Sequence, residues 1–171
     1  MTGTKRKSTS PMRTTLAMLG LAIAASGAAV LAQDRAPDYS QDIAWQQQQQ
    51  TALHSRNSAD GWTVMDGGLR WRRIAGDGVG EKPSVADTVT VHYAGTFVDG
   101  TGFDSSYDRG EPATFPLGRL IPAWQMAIPQ MAVGDTIELA APATLAYGPE
   151  GKGPIPGGAT LLFKVELLGI E

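Results

Sequence analysis

Residues 88–106 read TVTVHYAGTFVDGTGFDSS, and this stretch decides the fold. Val89, Val91 and Tyr93 alternate with Thr88, Thr90 and His92, the two-residue period of a strand with one buried face, which we place at Asp87–Phe97. Asp99 and Gly100 form a tight-turn pair that should reverse the chain into a second strand over Gly102–Ser105. Upstream, Leu69, Trp71 and Arg73 alternate with Arg70, Arg72 and Ile74, and the glycines and proline of GDGVGEKPS (76–84) mark a loop. Downstream, Asp135–Ala141 and Ala159–Gly169 supply two more strands. The last sends Leu161, Phe163, Val165 and Leu167 to one face, which needs a cover.

Ile121–Met131 can provide it. Trp124, Ala127, Ile128 and Met131 fall at i, i+3, i+4 and i+7, one stripe of a helix. Pro122 suits the first turn, where a missing N–H is harmless. Pro129 predicts a kink or an early end, because its ring removes a hydrogen bond and crowds the preceding turn. The expected architecture is α+β: an antiparallel β-sheet wrapped around one short α-helix.

The chemistry of this region is aromatic. Eight of the twelve Phe, Trp and Tyr residues lie between Tyr93 and Phe163, while 67–171 holds one His and the chain has no Cys. A hydrolase or transferase needs an activated nucleophile or a metal, and no such group stands out. His92 has the opposite strand parity to Tyr93 and should face away from the rings. Asp104 and Asp108 could imitate a carboxylate pair, but Arg109 makes an ion pair the plainer reading. GPEGKGPIPGG (148–158) lacks the spacing of a phosphate loop, and no Ser or Thr follows Lys152, so it reads as a flexible flap. No metal or cofactor is expected.

With TFPLGRLIPAWQM (114–126), LAYG (145–148) and ATLLFKVELL (159–168), the opening stretch resembles the FKBP-type peptidyl-prolyl cis-trans isomerase domain over roughly the last hundred residues. The resemblance implies catalysed rotation about X-Pro bonds in proline-containing unfolded or folding polypeptides. It places Trp124 at the pocket floor under the proline ring, with Tyr93, Phe103, Leu120, Ile121 and Phe163 as walls. It makes Asp104 the polar wall residue held by Arg109, Tyr147 a hydrogen-bond donor to the substrate backbone, and Ile155 a cap on the flap. Phe115 stands evenly between pocket lining and ordinary core. It also implies macrolide inhibitors as ligands. Ala113 stands where the family commonly has an aromatic lining residue, which should widen the pocket and change the preference for the residue before proline. Pro154, Ala123 and Pro129 are further departures that bear on efficiency more than on fold.

The N-terminal third has another character. Lys5, Arg6, Lys7 and Arg13 precede an uncharged run from Thr14 to Gln33, the layout of a signal peptide, with cleavage expected after Ala32. An uncleaved membrane anchor is the alternative, since the run approaches the roughly 20 residues that span a bilayer. Removing residues 1–32 leaves 10 cations against 17 anions, a formal net charge of −7, which argues against nucleic acid as a partner. The expected compartment is the periplasm, with inner-membrane anchoring as the alternative. Without disulfides the fold must hold by its core alone.

The domain organisation is therefore 1–32 signal, 33–66 polar linker or short helix, and 67–171 isomerase-type domain with its motifs in 85–171. In the middle segment, Ile43, Trp45, Ala52 and Leu53 give a thin apolar stripe, and Gln46–Gln50 reads as a solvated helix face. Monomer and dimer stay open. A chaperone-like module that grips proline-containing segments, and an envelope scaffold docking through 34–66, are the alternative functions.

Overall fold

The computed structural model describes residues 36–171, so the expected signal segment lies outside the described residues. Seven strands form one antiparallel sheet: β1 (Thr63–Val64), β2 (Arg70–Ala75), β3 (Thr88–Thr96), β4 (Gly102–Ser105), β5 (Ala113–Pro116), β6 (Thr136–Ala141) and β7 (Leu161–Ile170). Their order is β1-β2-β6-β7-β3-β4, and β5 also pairs with β3. The long strand β3 divides its outer edge: Thr88–Val91 pair with β5, and Ala94–Thr96 with β4. The turn at Asp99–Gly100 forms as expected, with the Phe97 N–H donating to Thr101 O at 2.8 Å and Gly100 at φ 89°.

Alternation along β3 and β7 sends Val89, Val91, Tyr93, Leu161, Phe163, Val165 and Leu167 into the core. The cover is a short helix, α3, over Pro122–Ala127, continued by a 3₁₀ turn at Ile128–Gln130. The ladder changes type at Pro129, which has no N–H to extend it, so the helix ends early as its sequence predicts. Trp124, Ala127, Ile128 and Met131 are all fully buried against the sheet.

The opposite face of the sheet is covered by the chain before β1. Helix α1 (Ile43–His54) starts at Asp42, whose carboxylate accepts from the Trp45 N–H at 2.9 Å, and lies near β6. Leu53 and Trp62 are buried there, and the guanidinium groups of Arg56 and Arg72 lie 5.4 and 4.7 Å from the Trp62 ring centroid. Two details correct the sequence reading of α1. Ile43, expected in its apolar stripe, is 69% exposed, because the helix presents its C-terminal half to the sheet. Gln49, expected on a solvated face, is 4% exposed and bonded to Thr160.

Three short elements carried no sequence signal: the strand β1, the single turn α2 at Ser106–Arg109, and the strand β5. Asp135 joins three segments ahead of β6. Its buried carboxylate accepts from the N–H groups of Ala132 (2.8 Å) and Gly78 (3.1 Å) and from Arg73 Nε (3.0 Å).

Candidate aromatic pocket

Six elements, counting β5 with Phe115, bring the expected site residues together. β3 supplies Tyr93, β4 supplies Phe103 and Asp104, α2 ends in Arg109, α3 carries Trp124, and β7 carries Phe163. Leu120 and Ile121 precede α3, and Tyr147 and Ile155 come from the loop 146–160, the flap. Tyr93, Leu120, Ile121, Trp124, Ile155 and Phe163 belong to one buried cluster, and Phe103, Phe115, Ala113 and Tyr147 pack against it, each partly buried.

The rings meet edge to face. From Trp124 the ring centroids lie at 5.3 Å for Tyr93, 5.5 Å for Phe163 and 6.4 Å for Phe115, with interplanar angles of 81°, 83° and 76°. Near-perpendicular packing sets the positive edge of one ring toward the negative face of the other, the preferred arrangement for such pairs. Phe103 continues the wall, 5.7 Å and 89° from Phe163. Phe115 thus contacts both Tyr93 and Trp124, and Phe97, which sequence reasoning passed over, leans on Phe103 at 5.1 Å.

Gly95 is a second residue that sequence reasoning passed over. A Cβ there would sit 2.5 Å from Cζ of Phe103 and 3.1 Å from Cε1 of Phe163, so only glycine lets both rings close over β3. The signal was present in HYAG, as a glycine at an inward position of an otherwise β-branched and aromatic strand.

A polar latch borders the rings. The Tyr93 hydroxyl donates to Asp104 Oδ2 at 2.5 Å, Arg109 Nη2 donates to that hydroxyl at 2.9 Å, and Arg109 Nη1 reaches Asp104 Oδ1 at 2.5 Å. Burial pushes the Tyr93 phenol up to about 12, the Asp104 carboxylate adding to the rise and Arg109 opposing it. Burial likewise pushes Tyr147 up to about 12, with the Asp104 charge contributing. Both phenols are therefore neutral donors at physiological pH. The Tyr93 proton is committed to Asp104, whereas no hydrogen bond among the described residues uses the Tyr147 hydroxyl. His92 faces away as expected, stacked on Tyr107 at 4.7 Å with Nδ1 2.9 Å from Ser106 Oγ.

Trp124 departs from one expectation. A pocket floor under a prolyl ring would be open from one side, but the Trp124 ring is wholly buried and its Nε1 has no hydrogen-bond partner among the described residues. Leu120, Ile121 and Ile155, each at most 2% exposed, close the cluster around it. Pro154 beside Ile155 is exposed and adds no cover. A separate cleft of about 960 Å³ lies between α1 and the outer side of the flap, lined by Tyr39, Trp45, Gln49, Pro149 and Gly158 among others. Its lining mixes apolar side chains such as Ile43, Trp45 and Leu53 with the glutamine face Gln46, Gln47, Gln49 and Gln50 and lacks the edge-to-face ring cluster around Trp124, which is the better place for a prolyl ring.

Comparison with known proteins gives the same picture. Residues 79–168 match the FKBP-type peptidyl-prolyl cis-trans isomerase family, a range that contains every site residue named above. FkpA of Aeromonas hydrophila is 47% identical over 119 residues, covering 70% of this chain and 44% of the relative. The Outer membrane protein MIP of Legionella longbeachae is 44% identical over 120 residues, covering 70% and 51%. The crystal structure of FkpA from Escherichia coli superimposes with a TM-score of 0.69 at 37% identity, covering 77% of this chain and 62% of that one. The chain spans about half the length of the curated relatives it matches. With more than half of its own length inside the family's domain, the chain belongs to the FKBP-type peptidyl-prolyl cis-trans isomerases.

Proposed function

We propose that the protein accelerates cis-trans rotation about X-Pro bonds in exported polypeptides as they fold. The observation that carries this reading is the ring cluster around Trp124, bordered by the Tyr93–Asp104–Arg109 latch. Rotation of the prolyl amide must pass a barrier of about 18–20 kcal/mol. The twisted amide loses resonance and with it charge separation, so a cage drier than water favours it over the planar form. A thousandfold acceleration asks for roughly 4 kcal/mol, which shape and polarity can share.

The residues divide that work. Trp124 offers its face to the ring, and Tyr93, Phe103, Leu120, Ile121, Phe115 and Phe163 exclude water. Asp104, fixed by Arg109, sets the polarity of one wall. Tyr147 donates to a substrate carbonyl, and Ile155 closes over the bound segment. Because the cluster is shut in this structure, the flap must lift to admit a prolyl ring. A relative from Emericella nidulans bears the name FK506-binding protein 2 and is 50% identical over 93 residues, which supports macrolide binding here as well.

Export rests on the cationic and apolar layout of residues 1–32 and on relatives such as the Outer membrane protein MIP. We place the protein in the periplasm. No helix among the described residues is long and apolar enough to cross a membrane. The test is relaxation of short X-Pro peptides with the parent protein, Tyr147→Phe and Trp124→Ala. Acceleration by the parent, weakened in the first variant and abolished in the second, is the expected result. A folded parent that leaves the relaxation at its uncatalysed rate would overturn the reading.

A further inference from the structure

The flap that must lift is tied from outside by the N-terminal segment. At its tip, the Ala36 N–H donates to Gly153 O at 3.0 Å. At its base, Gln49 Oε1 accepts from the Thr160 N–H at 2.9 Å, and Thr160 Oγ1 donates to Gln49 O at 3.3 Å. Between these points Trp45, stacked on Tyr39 at 4.9 Å, lies against Gly158, where an added Cβ would be 3.5 Å from its ring. Three anchors from residues 36–49 therefore contact the tip, shoulder and base of one loop.

The loop transmits what is done to it. Lys152 and Ile155 exchange both backbone hydrogen bonds at 2.9 and 3.0 Å, Gly158 N–H donates to Gly148 O at 2.9 Å, and Gly151 N–H donates to Tyr147 O at 3.2 Å. A Cβ on Gly151 would collide with Ile155 O, and one on Gly157 with Pro149 O, so the coil has little room to deform internally. A loop knotted in this way moves as a unit, carrying Tyr147 and Ile155 with it. Gln49 is moreover one of only two buried residues of α1, the other being Leu53. A buried amide held by a strand-entry N–H is an expensive way to dock a helix unless its partner must be held in place.

We propose that Gln49 and Trp45 are positioning residues of the substrate site: they brace the flap from its outer side and set how readily it opens over the aromatic cluster. The idea rests on the isomerase reading for its consequence, not for its geometry. The brace favours the closed flap, which holds Tyr147 and Ile155 where a bound prolyl segment meets them.

The experiment uses the full chain and the variants Gln49→Leu, Gln49→Glu, Trp45→Ala and Trp45→Phe. Amide hydrogen exchange is followed across 147–160, with kcat and KM measured separately on X-Pro peptides and thermal unfolding as the control for global stability. Losing the Gln49 acceptor should speed flap exchange about fivefold, the worth of one net hydrogen bond, with exchange in β3 and β7 unchanged. KM should rise by a similar factor of about five in Gln49→Leu and Trp45→Ala, while kcat changes less, because the lost anchor is one hydrogen bond or ring contact. Gln49→Glu keeps the acceptor and Trp45→Phe keeps a ring, so both should restore flap protection and KM. Unchanged flap exchange, or exchange that rises equally throughout the sheet, would overturn the brace. Faster flap exchange with unaltered KM would overturn its role in the site. A parent without turnover defeats the isomerase reading and leaves the brace to be judged on exchange alone.

Discussion

Tyr93 and Asp104 share a hydrogen bond of 2.5 Å across neighbouring strands, and Arg109 closes the triangle on both oxygen-bearing groups. The phenol is buried on the core face of β3, so the latch binds the hydrophobic cluster to the polar rim of the pocket.

Removing one corner tests that connection. Tyr93→Phe keeps the ring contacts and deletes a charge-assisted hydrogen bond, so unfolding in urea should show a loss of about 1.5–3 kcal/mol. Asp104 keeps Arg109 but loses its orientation, and kcat/KM on X-Pro peptides should fall about tenfold, which corresponds to 1.4 kcal/mol. A variant with parental turnover would show that the latch serves stability alone.

Alkaline titration reads the same environment. Burial pushes Tyr93 and Tyr147 up to about 12 in the folded protein, above the ordinary value of about 10. Their neutral forms therefore contribute stability that is complete below pH about 10 and is lost as pH rises through about 12. Phenolate ultraviolet absorbance should show two tyrosines ionising late, together with a falling urea midpoint. Ionisation of all four tyrosines together near the ordinary value would contradict the burial described for Tyr93 and Tyr147.

Asp135 titrates in the opposite sense. Burial pushes its carboxyl up, but the N–H groups of Ala132 and Gly78 together with Arg73 outweigh that and hold it below the usual range. Its contribution is present above the unfolded value of about 3.9 and is lost as pH falls through the lower folded value. Asp135→Asn should destabilise the protein by about 2 kcal/mol at neutral pH, less than for a fully buried ion pair because Arg73 is partly exposed. The variant should also lose part of the acid limb of the stability profile in urea unfolding measured from pH 6 down to pH 2.

Ala113 offers a test of preference. It sits opposite Val91 on β5, partly buried against the cluster, where an aromatic side chain would narrow the pocket. Ala113→Phe should lower kcat/KM for peptides with a bulky residue before proline about tenfold relative to those with Ala. Parallel changes for all peptides would show that the position does not line the subsite.

Much of this was readable in the sequence where one physical signal dominated. The alternation in β3 and β7, the turn at Asp99–Gly100 and the helix cut short at Pro129 all follow from local rules. β5 escaped because four residues ending at Pro116 carry too little period, and its pairing with Thr88–Val91 is decided by β3. Gln49 escaped for a different reason: a glutamine in a glutamine run signals solvent, and its burial depends on Thr160, 111 positions away. The residues that gather around Trp124 were named from their motif order, whereas the sealing of its ring emerges only from packing.

The central place of β7 has a consequence for how the chain is made. β7 is hydrogen-bonded to β3 on one side and β6 on the other, and among the described residues no other strand joins those two halves. A chain emerging N-terminus first can form the hairpin of β3 and β4, but the sheet cannot become continuous before residues 161–170 are available. Until then the apolar faces of β3 and β6 have no shared partner, so a polypeptide still being synthesised remains open rather than locked.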